Sequence, residues 1–300
     1  MGYFFLALSN LAGATKGFCG KKTSGAVTEY KDAVLVNLLR MVLCIVIGFA
    51  LLAFQGDLSL LRPDAPTLLI SALSGVANSL FVVLWLLSVR KGAYMLVEVF
   101  GMCGVLIPLL LTTFLGEAIT LKDLGGLALL ILAAAIMCSY NNGIQKKLTP
   151  SVFLLLAASG AASGLADFSQ KLFVHQVPYS TSAIFNFYTY IFSALTLLIL
   201  YFIAVRQAKQ KNETSPSAWP VLKKIAGYVT VMALCLYLNT FFKTEAAALL
   251  PAAQLYPLSK GLALVLSSLM AAIFFHEKLT PKAILGIGIS FVGILVMNVL

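Results

Sequence analysis

A chain of 300 residues that is 60% hydrophobic and only 11% charged, with a mean hydropathy of +0.97, lies far outside the make-up of soluble globular domains. It describes a polytopic membrane protein and leaves no room for an extramembranous catalytic or DNA-binding module. The formal net charge of +10, which in a soluble protein would suggest nucleic acid as a partner, reads here as membrane topology.

A bilayer-spanning helix needs roughly 20 mostly apolar residues. Ten such stretches follow one another, near 2–20, 33–54, 67–88, 93–115, 121–140, 151–173, 182–205, 223–243, 247–270 and 282–300. The first lacks a basic n-region and an A-x-A-type site, so it reads as helix 1 itself and not as a cleavable signal peptide. Short connections join most of the stretches, and the longest polar linker runs from Arg206 to Lys224, after the seventh. Fourteen of the 21 Lys and Arg fall in connections that follow odd-numbered stretches, whereas the even-numbered connections hold Arg62, Lys122 and Lys243. The positive-inside rule then puts the odd connections in the cytoplasm and both termini outside, with the plasma (inner) membrane as the expected location. Cys19, Cys44, Cys103, Cys138 and Cys235 are scattered without metal-ligand spacing and read as small core residues; no metal or cofactor is expected.

The chain also repeats itself. At an offset of 160, "FLGEAITLKDLGG" from Phe114 lies over "FFHEKLTPKAILG" from Phe274, pairing Glu117 with Glu277, Thr120 with Thr280, Lys122 with Lys282 and Gly126 with Gly286. Earlier in each half, Phe18 and Lys21 match Phe168 and Lys171 at an offset of 150, and Asn37 matches Asn186. Two five-helix halves, 1–145 and 146–300, account for these matches and form one integrated transport domain. Because five is odd, the second half enters the membrane from the opposite side, which makes the halves inverted repeats. Such repeats carry a central site at their interface, exposed alternately to each side. The expected fold class is thus an all-α polytopic membrane protein with ten transmembrane helices as two inverted five-helix repeats.

On these features the chain resembles the drug/metabolite transporter superfamily, in particular its ten-helix EamA-like members and their nucleotide-sugar-transporter relatives. The resemblance rests on the ten short helices, the two halves, and the "LGEAIT" and "FHEKLT" signatures before the last helix of each half. His276 departs from the pattern, standing where the first half has Gly116. The resemblance implies a transporter fold and leaves substrate open, since members of the superfamily carry amino acids, amines, sugars and nucleotide sugars.

Ionisable groups inside a membrane cost roughly 2.5–3.5 kcal/mol on insertion scales, so each is a functional candidate. Six fall well inside the stretches: Lys16, Arg40, Glu98, Asp167, Lys171 and Lys260. The repeat sets Glu98 opposite Leu258 and Lys260 opposite Phe100, so the two charges sit within one turn of equivalent positions. They form either a cavity site for a zwitterion, with Glu98 as a proton carrier, or a permanent salt bridge. Tyr256, Lys260 and Ser267 make one polar stripe, and Pro257 removes a backbone hydrogen bond beside it. Asp167 and Lys171 have the spacing of an i,i+4 ion pair and, with Glu98 and Pro257, are candidates for coupling or gating. Lys16 either snorkels or meets substrate, and Arg40 either stabilises a helix end or clamps a carboxylate or phosphate.

Asn37, Asn78, Asn186, Asn239, Tyr190, Trp85 and Tyr237 are candidates for orienting hydrogen bonds and aromatic walls, or else for holding helices together. Glu117 and Glu277 read as caps or gate elements. Four cations against two anions in the buried set lean towards a substrate bearing a carboxylate or phosphate. The expected function is secondary active transport of a small polar metabolite by alternating access, with protons or a counter-substrate as coupling partners, in a monomer or homodimer. The alternatives are a nucleotide-sugar or organophosphate exchanger and, in a different class, an intramembrane enzyme or scaffold. For the enzyme, His175 and His276 lie near helix ends and no HExxH, GxSxG or aspartyl pair is present.

Overall fold

The computed structural model describes residues 1–27, 30–54, 63–91, 100–102, 104–138, 149–210, 219–276 and 281–298. Among them it contains helices and no β-strand. The ten helices are α1 (Gly2–Ser24), α2 (Tyr30–Phe54), α3 (Ala65–Lys91), α4 (Leu106–Thr112, continued by a 3-10 turn, Thr113–Leu115), α5 (Leu121–Cys138), α6 (Pro150–Gln176), α7 (Ser182–Gln210), α8 (Trp219–Leu249), α9 (Ala252–Phe275) and α10 (Pro281–Asn298). Six of them, α2, α3, α6, α7, α8 and α9, contain segments long and apolar enough to cross a membrane.

The distribution of side chains is that of a protein in hydrocarbon. On α2 the large apolar residues Leu39, Val42, Val46 and Phe49 recur every three or four positions and are exposed. The opposite face of the same helix buries Asn37 and Arg40. On α7, Leu195, Leu198, Ile199, Phe202 and Ile203 form the corresponding outward stripe. A lipid-facing apolar exterior around polar interior groups satisfies both the backbone and the buried side chains.

Most of the helix packing follows a two-fold pattern, in which adding or subtracting five from both labels of a contacting pair gives another contacting pair. Thus α1 packs on α8 as α6 packs on α3, α2 on α8 as α7 on α3, and α4 on α6 as α9 on α1, while α2·α7 and α5·α10 map onto themselves. Close approach depends on glycine at particular points. A Cβ on Gly164 would lie 2.2 Å from the Gly104 carbonyl oxygen, and one on Gly160 would lie 2.5 Å from that of Phe100. The backbone of α6 therefore touches that of Phe100 and Gly104, just before α4, as small-xxx-small spacing permits. In the self-mapping pair, Gly126 of α5 and Gly293 of α10 face each other's carbonyls in the same way.

Helix ends explain the repeated signatures. Gly116 is left-handed (φ 85°), its N–H reaches Thr113 O and the N–H of Glu117 reaches Thr112 O, which is the Schellman arrangement. At the matching point of the second half His276 is also left-handed (φ 53°) and ends α9. The glycine and the histidine thus occupy the same conformation, one at ease and the other strained.

The largest shift from expectation is at the end of α8, which runs to Leu249 instead of closing near 243. The polar run ending in Lys243 looks like a connection, but Lys243 is 9% exposed inside the helix. A buried ion pair overrides the helix-end reading. Pro251, extended (φ −64°, ψ 151°) and lacking an N–H, makes the break before α9.

Candidate functional site

Polar side chains on five helices meet around one interior cavity of about 100 Å³. Each helix contributes a stripe at helical spacing: Asn10, Gly13 and Gly17 with Lys16 from α1, Asn78, Phe81 and Trp85 from α3, Ser163, Asp167 and Gln170 from α6, Asn239, Thr240 and Lys243 from α8, and Ser259, Lys260 and Ala263 from α9. The α1 and α6 stripes coincide under the 150-residue shift, since Gly13, Lys16 and Gly17 correspond to Ser163, Ala166 and Asp167, all of which line the cavity. The repeat therefore builds the walls, and the departures from it (lysine against alanine, glycine against aspartate) give the cavity its charges.

Asp167 is the centre of the site. It is 4% exposed, and its two oxygens face different lysines: Lys243 Nζ lies 2.7 Å from Oδ1 and Lys260 Nζ 3.1 Å from Oδ2. Lys260 also donates to Ser163 Oγ at 2.5 Å. The backbone carbonyl of Asp167 accepts from the Tyr256 hydroxyl at 2.6 Å. One carboxylate thus faces two ammonium groups in a setting where unpaired charge is costly. The spacing of Asp167 and Lys171 suggested a pair within α6, but Lys171 turns instead to Glu117, 2.7 Å away, and donates to the Ala247 and Leu250 carbonyls at 3.1 and 2.8 Å. Longer-range partners of better geometry displace the local pairing.

Of the other candidates, Lys16, Trp85, Asn78 and Asn239 line the cavity. The Lys16 ammonium stands 5.8 Å from the centre of the Phe81 ring. Asn239 is also glue between halves, donating to the Ser9 carbonyl at 2.7 Å, and Asn78 donates to Ser193 Oγ at 3.2 Å. Gly13 permits that packing, for a Cβ there would lie 3.0 Å from Asn239 Nδ2.

Asn37 and Asn186 do not reach the cavity lining. Each returns its amide to the carbonyl four residues earlier, Ala33 and Ser182, and Asn37 also donates to Val82 O. Tyr190 bonds Leu236 O and Thr240 within the wall, and Tyr237 is buried beside it. Arg40 is 2% exposed, lies outside the cavity lining, and its Nε has no hydrogen-bond partner among the described residues. Pro257 is buried within α9 between Tyr256 and Lys260. Glu98, the expected partner of Lys260, lies outside the described residues, as does Glu277; among the described residues Lys260 pairs with Asp167.

Sequence reasoning missed Lys243, Ser163, Gln170 and Asn10. Lys243 was discoverable from its spacing, since Leu236, Asn239, Thr240 and Lys243 fall on one helical face. Moving it from a connection into α8 also sharpens the charge asymmetry between the two membrane faces.

The EamA-like transporter family profile matches residues 150–299, which is half of the chain and begins with α6. The multidrug transporter PA4990 of Pseudomonas aeruginosa is 35% identical over 80 residues, taking in 26% of this chain and 64% of that protein, less than two thirds of its length. A protein of solved crystal structure superposes with a TM-score of 0.69 at 15% identity, covering 97% of this chain and 96% of its own, which shows the shared fold. The chain belongs to the EamA-like transporter family of the drug/metabolite transporter superfamily, and is a multi-pass membrane protein.

Proposed function

We propose that this transporter is a secondary carrier for a small metabolite bearing a carboxylate, an amino acid being the simplest case, and that it works by alternating access between the two halves. The observation that carries the reading is Asp167 held between Lys243 and Lys260 on the wall of the central cavity. A substrate carboxylate has the chemistry to take an ammonium from Asp167, and a substrate amine has the chemistry to take Asp167. The cavity volume of about 100 Å³ is below the several hundred Å³ of drug-sized sites and favours a small solute over a nucleotide sugar. Protons or a counter-substrate supply the driving force in this reading.

The name of the Pseudomonas aeruginosa relative raises multidrug transport as a second reading, in which drug-like solutes, cationic ones among them, are carried. Among the described lining residues, Lys16, Lys243 and Lys260 stand against Asp167 alone, which disfavours a cationic solute. A thermal-shift screen on the purified protein separates the readings. Stabilisation by amino acids or other small carboxylates supports the first, and stabilisation by lipophilic cations or by nucleotide sugars alone overturns it.

A further inference from the structure

Two helix ends and two charges meet at one end of the molecule, away from the cavity. The Schellman turn at Gly116 aims Glu117 at the break between α8 and α9, where its Oε2 accepts the Ala252 N–H at 2.8 Å and its Oε1 pairs with Lys171 at 2.7 Å. Lys171 in turn caps the end of α8 through the Ala247 and Leu250 carbonyls. The acid sits at a helix N-terminus and the base at a helix C-terminus, each where the helix dipole favours it. The α4–α5 connection belongs to the first half, and α6, α8 and α9 to the second, so this ion pair ties the halves together.

The same two helices carry the substrate site. Along α6, Ser163, Asp167 and Lys171 are four residues apart. Along α9, Lys260, Tyr256 and Ala252 are four apart in the opposite sense. The rungs are Ser163 with Lys260, Asp167 with Lys260 and Tyr256, and Lys171 with Ala252 through Glu117. Eight residues of α9, about 12 Å of helix, separate the cavity lysine from the charged end.

We propose that Glu117 and Lys171 are the gate residues of the transport route at the α8–α9 break, closed in this conformation, and that the α6–α9 ladder links them to Asp167. A solute that takes Lys260 from Asp167 removes two of the rungs that hold the first two turns of α9 on α6, and so loosens the gate. Opening breaks the pair and leaves Ala252 N–H and the two carbonyls to water, which fits an end of the protein and not its interior. Both connections follow even-numbered helices, so this is the face opposite the basic connections. The proposal rests on the carrier reading above.

The test is side-specific chemical labelling. In a cysteine-free background, Ala263→Cys places a thiol on the cavity wall, and a membrane-impermeant maleimide is added to either side of sealed proteoliposomes. Glu117→Gln and Lys171→Met are expected to raise the labelling rate from the α8–α9 face by about tenfold, because each breaks the ion pair and leaves the remaining charge without its counter-charge. Labelling from the other face stays unchanged or falls, and Lys171→Arg, which keeps charge and donors, stays near the parent rate. Unchanged labelling, or an equal rise from both faces, overturns the gate. Should Glu117→Gln not be recovered folded, Glu117→Asp, which keeps the charge but loses reach, decides in the same assay: faster labelling from the α8–α9 face supports the gate and unchanged labelling overturns it. The labelling needs no substrate. Unchanged labelling therefore sinks the gate even where uptake persists, whereas the expected labelling in a protein that moves no tested solute counts against the carrier reading alone.

Discussion

Replacing Asp167 by asparagine keeps the shape of the side chain and removes the one carboxylate that Lys243 and Lys260 share. At separations of 2.7 and 3.1 Å and an effective dielectric constant near 20, each contact represents about 5–6 kcal/mol of gross attraction. Desolvation of the groups and repulsion between the ammonium groups offset much of this, and loss of one partner of a buried pair is expected to cost about 3–5 kcal/mol. At roughly 2–4 °C per kcal/mol, a cost of about 3 kcal/mol lowers the melting temperature in detergent by about 6–12 °C. Lys260→Met is expected to cost about 1 kcal/mol or less, because Asp167 keeps Lys243 and a buried charge disappears. The double variant Asp167→Asn with Lys260→Met recovers part of the single loss, with a coupling of about 0.5–3 kcal/mol. Thermal unfolding of the three proteins checks the order. A loss in Asp167→Asn no larger than that in Lys260→Met, or no recovery in the double variant, would falsify the shared-carboxylate account.

Three further outcomes test other parts of the structure. Gly164→Val puts a branched side chain against the Gly104 carbonyl and is expected to abolish recovery of folded protein, whereas Gly125→Ala, with nothing within 4 Å of its Cβ, melts at or slightly above the parent temperature. His276→Gly relieves a left-handed histidine at the end of α9 and is expected to stabilise by about 1 kcal/mol, seen as a raised melting temperature. Outside the spans, Asp64 accepts hydrogen bonds from Thr67 and then Tyr179, which hold its carboxyl below the usual value. Its contribution is therefore fully present above the unfolded value of about 4 and fades as pH falls through the lower folded value. The stability gap between the parent protein and Asp64→Asn should close on acidification; a gap independent of pH argues against the bond.

Much of the fold is legible in the sequence because two constraints are strong. Hydrocarbon demands long apolar helices, and the matches Glu117/Glu277 and Lys21/Lys171 set the repeat. The helix ends are less legible. The spacing of Leu236, Asn239, Thr240 and Lys243 marks one helical face, but what holds Lys243 inside α8 and not in a connection is Asp167, 76 residues away. The same holds for Lys171, whose i,i+4 neighbour is a plausible partner until Glu117 is brought beside it by the turn at Gly116. The asparagines divide along a line sequence does not draw. Asn78 and Asn239 face the cavity, while Asn37 and Asn186 fold back on their own helices. Polar character marks a residue as interior, and only the packing of neighbouring helices decides whether its interior is a cavity or a wall.

In the proposed carrier, Asp167, Lys243 and Lys260 bind the transported solute. That binding is tested most directly by uptake into proteoliposomes of the carboxylate that best stabilises the purified protein, compared between the parent chain, Lys260→Ala and Asp167→Asn. Uptake by the parent is expected, with a loss of at least about tenfold in both variants while each remains folded. Uptake at the parent rate by folded Lys260→Ala and Asp167→Asn would contradict that binding.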